Sequence, residues 1–485
     1  MASGELWHEI SGHPALAALA GLAREGGQGL WLCGGTLRDL LMGRRAPDLD
    51  LAVAGDALAL GQALARKIGG HFVPLGREFA TCRVVGPQGE LDLAGLRAPT
   101  LAADLAARDF TLNALALPLE ALWAGGEPES QLVDPTGGRA DLAAGVLRPA
   151  GPGVLAADPL RVLRAFRFMS THGFSLAPGL EQRLAGAAPG LFRVAAERIG
   201  AEWMRLMAGP RAARAVQAME DCQVLTRLVP ELAAGRGLAQ NPYHHLDVLG
   251  HSLACVRAAG LLLAGRGPLA GALAQEGPDY LQPPRRRALF MTAALLHDLG
   301  KPPTREARDQ EWATFYRHEI MGARLARRRC LALGLSKADA AWVGRLAAEH
   351  MRPFHLLGAQ GRGQLTRRGV RRMLAALGQD LPALFLLAMA DTIAGRGPLR
   401  PPEAEGRLLA LYQEVARLRD AELAAALAAP PLVDGNDLMR ALGLPSGKEV
   451  GRLLALVREA QLDGEIKSKD EALALAREAG RQSVS

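Results

Sequence analysis

The stretch CGGTLRDLLMGRRAPDLDLAV, Cys33 to Val53, sets two glycines, an Arg–Asp pair and two aspartates one residue apart within about twenty residues. Gly34-Gly35 reads as a turn, TLRDLL as a short amphipathic helix, and LDLAV as a strand entered through Pro47. In a strand, side chains at i and i+2 share a face, with Cα atoms roughly 7 Å apart, so Asp48 and Asp50 are expected to point the same way. Two like charges on one face repel. A pair of divalent ions about 4 Å apart offsets that cost and also serves in-line attack on a phosphate. The glycines let the backbone approach a ligand closely, and the helix that follows turns its free N–H groups toward an anion. The expectation is a nucleoside triphosphate held against two metals. For the Asp-Leu-Asp triplet alone, a glycine turn beside a solvated acidic strand is an equal reading.

At 485 residues the chain has room for roughly three or four domains, and 49% hydrophobic content is ample for packed cores. The Ala-, Leu-, Gly- and Arg-rich composition, poor in aromatics, favours helix over sheet. A net charge of +7 favours a polyanionic partner. The clusters PPRRRAL, ARLARRRC and LTRRGVRRML offer phosphate contacts, and each reads equally as a solvated helix face. Five scattered cysteines without CxxC spacing exclude a disulfide framework or a zinc ribbon. The N-terminus lacks a basic region followed by an apolar run, and no stretch approaches eighteen uninterrupted apolar residues. The chain therefore reads as cytoplasmic, with no membrane contact.

Short strand-like runs (LWLCGG, LDLAVAG, TCRVVG, ELDLAGL) alternate with helical ones up to about residue 150. From Asp158 onward, helical Ala/Leu periodicity takes over. RPAGPG marks the boundary, and GRGPLAGALAQEGPDYLQPP and GRGPLRPPEAEG read as later loops. Further polar segments accompany the opening one. ELDLAGLR carries Asp92 on another strand as a third candidate carboxylate. ARDFTLNA sets Arg108, Asp109 and Asn113 along the expected start of a helix, and LVDPTGGRADL reads as a turn.

Taken in order, GGTLRD, DLD, ARDFTLNA, DPTGGRADL and ADPLRVLRAFRF resemble the class II tRNA nucleotidyltransferase and bacterial poly(A) polymerase superfamily over about residues 30–210, with AERIGAEWMRLM as a later segment. The resemblance implies an α+β chain with a polymerase-β-like head, an all-α neck and a helical remainder. In it Asp48 and Asp50 would hold two Mg2+ ions, with Asp92 as a companion. Gly34, Gly35 and Arg38 would meet the triphosphate, and Arg108, Asp109 and Asn113 the sugar. The family reads the incoming base with an EDxxR element, matched here by Asp158 and Arg161, while Ala157 stands where the family has Glu. Arg is a fixed fork of donors and Asp an acceptor, so the pair suits a base edge. Taken alone, Asp158 before Pro159 reads as a helix cap. Arg164 and Arg167 continue the face, toward phosphate or water.

Seven of the eleven histidines fall between residues 240 and 360, in YHHLDVLGHSL, AALLHDLGKP, FYRHEIMGARLA and AAEHMRPF, and LFLLAMADTIAG adds Asp391. Helix ends facing one cavity gather imidazoles and carboxylates suited to a divalent metal. These segments resemble an HD phosphohydrolase domain, with His251, His297, Asp298 and Asp391 at its defining positions and His318 and His350 where two-metal members place ligands. The metal implied is Ni2+, Mn2+ or Mg2+, and Lys301 is a candidate phosphate clamp. His244, His245 and His355 read as ordinary structural histidines. The tail resembles the C-terminal helical domain of bacterial CCA-adding enzymes, its Gly443–Gly447 turn suited to RNA.

The implied division is 1–150 head, 151–225 neck, 226–400 HD domain and 401–485 RNA-binding tail. The function implied is addition of C and/or A to the 3′ end of tRNA from CTP and ATP, with HD-domain phosphohydrolysis of 2′,3′-cyclic or terminal phosphates. Poly(A) polymerase is the nearest alternative. PLGREFATCRVV keeps LGR and Phe79 but lacks the His of that group's LGRRF-type segment, which leans toward tRNA. A protein-modifying nucleotidyltransferase of nitrogen-signalling type would end in βαββαβ modules, whereas this tail reads as helical.

Overall fold

The computed structural model describes residues 3–46, 48–76, 80–267, 280–306, 313–362, 367–428, 430–462 and 464–481. Pro47, the Arg77–Phe79 segment, most of the loop at 265–284 and part of the third arginine cluster lie outside them. The chain divides into two compact units. The first comprises Met1–Arg236, Gln282–Thr292 and Leu325–Val343, and the second Gly237–Leu281, Ala293–Arg324 and Gly344–Ser485.

The head of the first unit is a mixed sheet of β1 (Gly29–Cys33), β2 (Leu49–Ala54), β3 (His71–Gly76), β4 (Thr81–Gly86), β5 (Gly89–Gly95) and β6 (Ala116–Pro118), in the order β3-β4-β5-β2-β1-β6. Only β2 and β5 run parallel; the remaining pairs are antiparallel. Period-two alternation decides the faces. Leu49, Leu51 and Val53 of β2 and Leu91 and Leu93 of β5 join one core with Leu16 and Leu19 of α2 (Pro14–Glu25), Leu37 and Leu40 of α3 (Gly34–Leu41), and Leu60 and Leu64 of α4 (Ala57–Ile68). Each such leucine contributes about 1.5–3 kcal/mol on burial. Asp50, Ala52 and Asp92, at the intervening positions, face the other side, where Cys33, Ala52 and Ala116 form a smaller cluster. Asp56 starts α4 by accepting from Leu58 N and Ala59 N.

Two local expectations change. The strand begins at Leu49, so Asp48 occupies an exposed bend just before it rather than the strand itself. The segment after Asp109 is a single 3-10 turn, Thr111–Asn113, not the start of a longer helix. Thr111 N is already committed to Arg148 O (2.9 Å) and Ala116 N to Val133 O (3.1 Å), so the chain enters β6 with no room for another turn.

Helices dominate beyond the head, including Leu160–His172 and Ala196–Ala208 in the first unit. The second unit contains the helices Val248–Leu263 and Leu381–Ala394, and the tail helices Gly435–Leu442, Lys448–Leu462 and Lys469–Arg481 enclose their own small core around Leu438, Leu453 and Ala472. All five cysteines are unpaired and buried. Among the described residues, no helix is long and apolar enough to cross a membrane.

Candidate functional site

In the head, the parallel pairing of β2 and β5 sets Asp50 directly beside Asp92. Asp50 Oδ2 accepts from Gly35 N (2.9 Å). Thr36 Oγ1 accepts from Asp50 N (2.7 Å) and donates to Asp48 O (3.0 Å), fastening the strand entrance to the first turn of α3. Gly34 has φ +63°, and a Cβ on Gly34 or Gly35 would lie 3.1 Å from Asp50 Oδ2. The glycines are thus the price of bringing backbone N–H groups over the carboxylate. Burial pushes the Asp50 carboxyl upward, and the neighbouring charge of Asp92 adds to that shift against the Gly35 hydrogen bond. A site that raises a carboxylate's energy in this way gains from a cation beside Asp50 and Asp92, while Asp48 sits at the exposed bend before the strand. Asp92 has a cation already: Arg83, its register partner on β4, grips it through Nε (2.8 Å) and Nη2 (2.9 Å).

Arg38 is almost fully buried. Its Nε and Nη2 donate to Asp39 at 2.9 Å each, and Nη1 donates to Asn113 Oδ1 at 3.0 Å. Asn113 Nδ2 donates to Asp109 Oδ1 (3.0 Å), and Arg164 from the helix Leu160–His172 grips Asp109 Oδ2 through Nε (2.9 Å) and Nη2 (2.6 Å). Burial alone would push the Asp109 carboxyl up; Arg164, with hydrogen bonds from Asn113 and Phe110 N, holds it at about 2. Behind Arg164 stands Glu202 of the helix Ala196–Ala208, buried and paired with Arg164 (3.3 Å) and Arg167 (2.8 Å). The guanidiniums of Arg38, Arg164 and Arg167 surround the buried Phe168 ring at 5.3, 5.8 and 4.2 Å. The triphosphate-side candidate Arg38 and the sugar-side candidates Asn113 and Asp109 therefore belong to one polar chain, Asp39–Arg38–Asn113–Asp109–Arg164–Glu202–Arg167. Arg108 is tied to Asp104 Oδ2 (3.2 Å). The side chains of Asp158 and Arg161 do not pair, although Arg161 N donates to Asp158 O (3.0 Å). Asp158 Oδ2 accepts from Arg198 (2.9 Å) and Oδ1 from Leu160 N (3.2 Å), while Arg161 Nη1 donates to Val154 O (3.1 Å). Arg83, Arg198 and Glu202 were not identifiable as site neighbours from sequence, because each arrives by cross-strand register or helix packing.

The second unit brings together His251, His297, Asp298, His318, His350 and Asp391, all six of the expected residues. His251 Nε2 lies 3.0 Å from Asp391 Oδ1, and His297 Nε2 3.1 Å from Asp298 Oδ2. Asp298 Oδ1 lies 3.5 Å from His318 Nε2 and 3.7 Å from His350 Nε2. Burial of Asp298 opposes its ionisation, yet His297 and Lys301 hold its carboxyl well below the usual range. Lys301 Nζ is 2.7 Å from Asp298 Oδ2 and donates to Gln240 Oε1 at 2.7 Å, so this lysine is engaged within the site. Burial holds His350 at about 3, hence neutral.

The donor chemistry fits metal. His318 Nδ1 donates to Phe315 O (2.9 Å) and His350 Nδ1 to Ala347 O (2.7 Å), which turns the two Nε2 atoms toward each other at 3.2 Å and toward Asp298 Oδ1. Two imidazole nitrogens and a carboxylate so placed form a ligand set that a cation can bridge. Among the described residues, neither Asp298 oxygen nor either His251 nitrogen has an aligned hydrogen-bond partner, although all are buried. His244 also reaches the cluster: its ring centroid lies 4.6 Å from that of His251. In sequence it reads as an ordinary structural histidine, because only the folded loop brings it to His251. His245 instead accepts from Arg396 N (3.3 Å) through Nδ1.

Three family profiles match the chain: "Poly A polymerase head domain" over residues 30–148, "Probable RNA and SrmB- binding site of polymerase A" over 173–235, and "HD domain" over 248–393. The A-adding tRNA nucleotidyltransferase of Deinococcus radiodurans is 36% identical across 92% of this chain and 94% of its own. The CC-adding tRNA nucleotidyltransferase of Geobacter sulfurreducens is 32% identical across 95% and 94%. A CCA-adding enzyme solved with CTP superposes with a TM-score of 0.62 at 20% identity, covering 97% of this chain and 96% of that one, a likeness of fold. With its head profile, its HD profile and near full-length relatives above 30% identity, the chain belongs to the family of CCA-adding tRNA nucleotidyltransferases that carry an HD domain.

Proposed function

We propose that the head extends the 3′ end of tRNA with C, A or both. The terminal 3′-hydroxyl attacks the α-phosphate of CTP or ATP, the new P–O bond forms as the bond to the β-phosphate bridge breaks, and pyrophosphate leaves with the hydroxyl proton passing to solvent. The observation that carries this reading is the alignment of Asp50 with Asp92 across parallel strands beneath Gly34 and Gly35. Asp48, Asp50 and Asp92 would hold Mg2+, which when bound stabilises charge on the attacking and leaving oxygens. Gly34, Gly35 and Arg38 meet the triphosphate; Arg108, Asp109 and Asn113 meet the sugar. Asp158 and Arg161 read the base edge once released from Arg198 and Val154, and Arg164 orients Asp109. The A-adding and CC-adding relatives support tRNA as acceptor and CTP and ATP as donors. The division into head 1–150, neck 151–225, HD domain 226–400 and RNA-binding tail 401–485 is part of this reading. So is a cytoplasmic location, in keeping with five unpaired cysteines.

The HD domain is proposed as a metal-dependent phosphohydrolase for 2′,3′-cyclic or terminal phosphates, with Ni2+, Mn2+ or Mg2+ held by His251, His297, Asp298, His318, His350 and Asp391. Its support is the convergence of the His318 and His350 Nε2 atoms, 3.2 Å apart, on Asp298 Oδ1. The test incubates the protein with tRNA lacking its terminal CCA and each labelled triphosphate, then sequences the 3′ ends. Incorporation of C, A or both is expected, and failure of all four nucleotides to add overturns the reading.

A further inference from the structure

Four of the five histidine rings in the HD cluster are anchored by one device. His297 Nδ1 donates to Ala294 O (3.0 Å), His318 Nδ1 to Phe315 O (2.9 Å) and His350 Nδ1 to Ala347 O (2.7 Å). His244 Nδ1 contacts Asn241 Oδ1 at 2.9 Å. In every case the oxygen belongs to the residue three positions earlier. Such oxygens only accept, so Nδ1 carries a proton and Nε2 is the nitrogen turned toward the cluster, the atom through which an imidazole so anchored binds metal. Asn241 Oδ1 also lies 3.3 Å from Tyr243 N, which fixes the amide with its oxygen toward the ring.

His244 is also held in place by the chain that follows Asp391. Gly397 N donates to Tyr243 O (2.9 Å) and Leu399 N to Pro242 O (3.2 Å), strapping the loop to the segment leaving the helix Leu381–Ala394. A Cβ on Gly397 would lie 2.2 Å from Pro242 O, so this close approach requires glycine. The ligand atoms of His244, His251 and Asp391 all fall within 4.8 Å of one another, a spread that a single ion with bonds of about 2.1 Å draws together. His251, His297 and His350 are buried whereas His244 is only half-buried, which places it on the solvent side of the cluster.

We propose that His244 is a further metal ligand of this centre, sharing an ion with His251 and Asp391. This rests on the metal-dependent reading of the HD domain above. With His244 the cluster offers five imidazoles and two carboxylates. So nitrogen-rich a set favours Ni2+ and Co2+ over Mg2+, whose preference is for oxygen, with Mn2+ between them. Asn241 is the positioning residue that sets the His244 tautomer.

The experiment is direct metal binding to the full chain, by equilibrium dialysis and calorimetry with Ni2+, Co2+ and Mn2+, in wild type, His244→Ala, Asn241→Leu and the control His245→Ala. His244→Ala is expected to weaken one ion at least tenfold, Asn241→Leu to weaken it less, and His245→Ala to leave affinity within twofold. The Co2+ absorption spectrum reports the change of ligand field independently of activity. If His244→Ala matches His245→Ala in affinity and spectrum, His244 merely packs against His251 and the proposal is wrong. Should His244→Ala fail to fold, an unchanged affinity and spectrum in Asn241→Leu overturns it equally. A wild type that binds none of the three ions, nor Mg2+ in the same measurement, removes the metal-dependent reading itself, a result distinguishable from loss in the variant alone.

Discussion

Asp50 is buried enough for its carboxyl to be pushed upward, while Asp48, two residues before it, is exposed at the bend. The two are nonetheless linked through Thr36, whose hydroxyl meets Asp50 N and Asp48 O. Asp48→Ala and Asp50→Ala are each expected to lower nucleotide addition by more than about a hundredfold, roughly 2.7 kcal/mol of transition-state stabilisation, with the circular dichroism spectrum unchanged. Near-normal incorporation in Mg2+ by either variant contradicts the assigned role. Arg161→Ala is expected to blur the incorporation ratio of C, A, G and U more than it slows the best nucleotide, because unpaired base groups carry the penalty. An unchanged ratio removes Arg161 from base reading. At this scale the sequence shows what period two dictates: Asp50 and Asp92 lie opposite the leucines that bracket them. It does not show that Arg83 neutralises Asp92, since the pairing depends on strand register, or that His244 reaches His251, since a loop strap brings it there.

The helix Leu160–His172 displays Arg161, Arg164 and Arg167 at a spacing of three, as its sequence suggests, but what each touches is decided by packing. Arg164 and Arg167 meet Glu202 on the helix Ala196–Ala208, and Arg164 also grips Asp109 of the head. Glu202→Ala leaves two largely desolvated guanidiniums short of a partner. The expected loss is about 3 kcal/mol, read as a lower denaturation midpoint, and Glu202→Gln is expected to lose less. Asp109 supplies the acid limb. Its folded value of about 2 lies below the ordinary 3.8, so its contribution is complete above pH 4 and disappears as pH falls through 2. Denaturant titrations are expected to show about 2 kcal/mol of this loss in wild type and a correspondingly flatter profile in Asp109→Asn. The 3-10 turn at Thr111–Asn113 escaped sequence reading because ARDFTLNA has acceptable helix propensity, and it is the distant commitments to Arg148 O and Val133 O that end the turn.

Across the molecule, the first unit holds the Asp50–Asp92 strand pair and the second an imidazole-rich cluster. The double variant His297→Ala/Asp298→Ala is expected to abolish hydrolysis of 2′,3′-cyclic phosphates while still extending a tRNA that has a free 3′-hydroxyl. Loss of both activities in a folded variant shows that the sites are coupled. The change of composition near residue 150 is legible because strands need β-favouring alternation and helices do not. The contact-based division is not legible in the same way, since the first unit also gathers 282–292 and 325–343 from far along the chain. The buried cysteines carry a practical consequence. Cys33, Cys82, Cys222 and Cys330 belong to one unit and Cys255 to the other. Burial pushes Cys82 and Cys222 up to about 11 and Cys330 to about 12, so none presents a thiolate at neutral pH in the closed fold. Each sulfur is therefore a silent clock: its alkylation rate counts how often its own neighbourhood opens, and five peptides in a mass spectrum would time the breathing of both units without a single engineered substitution.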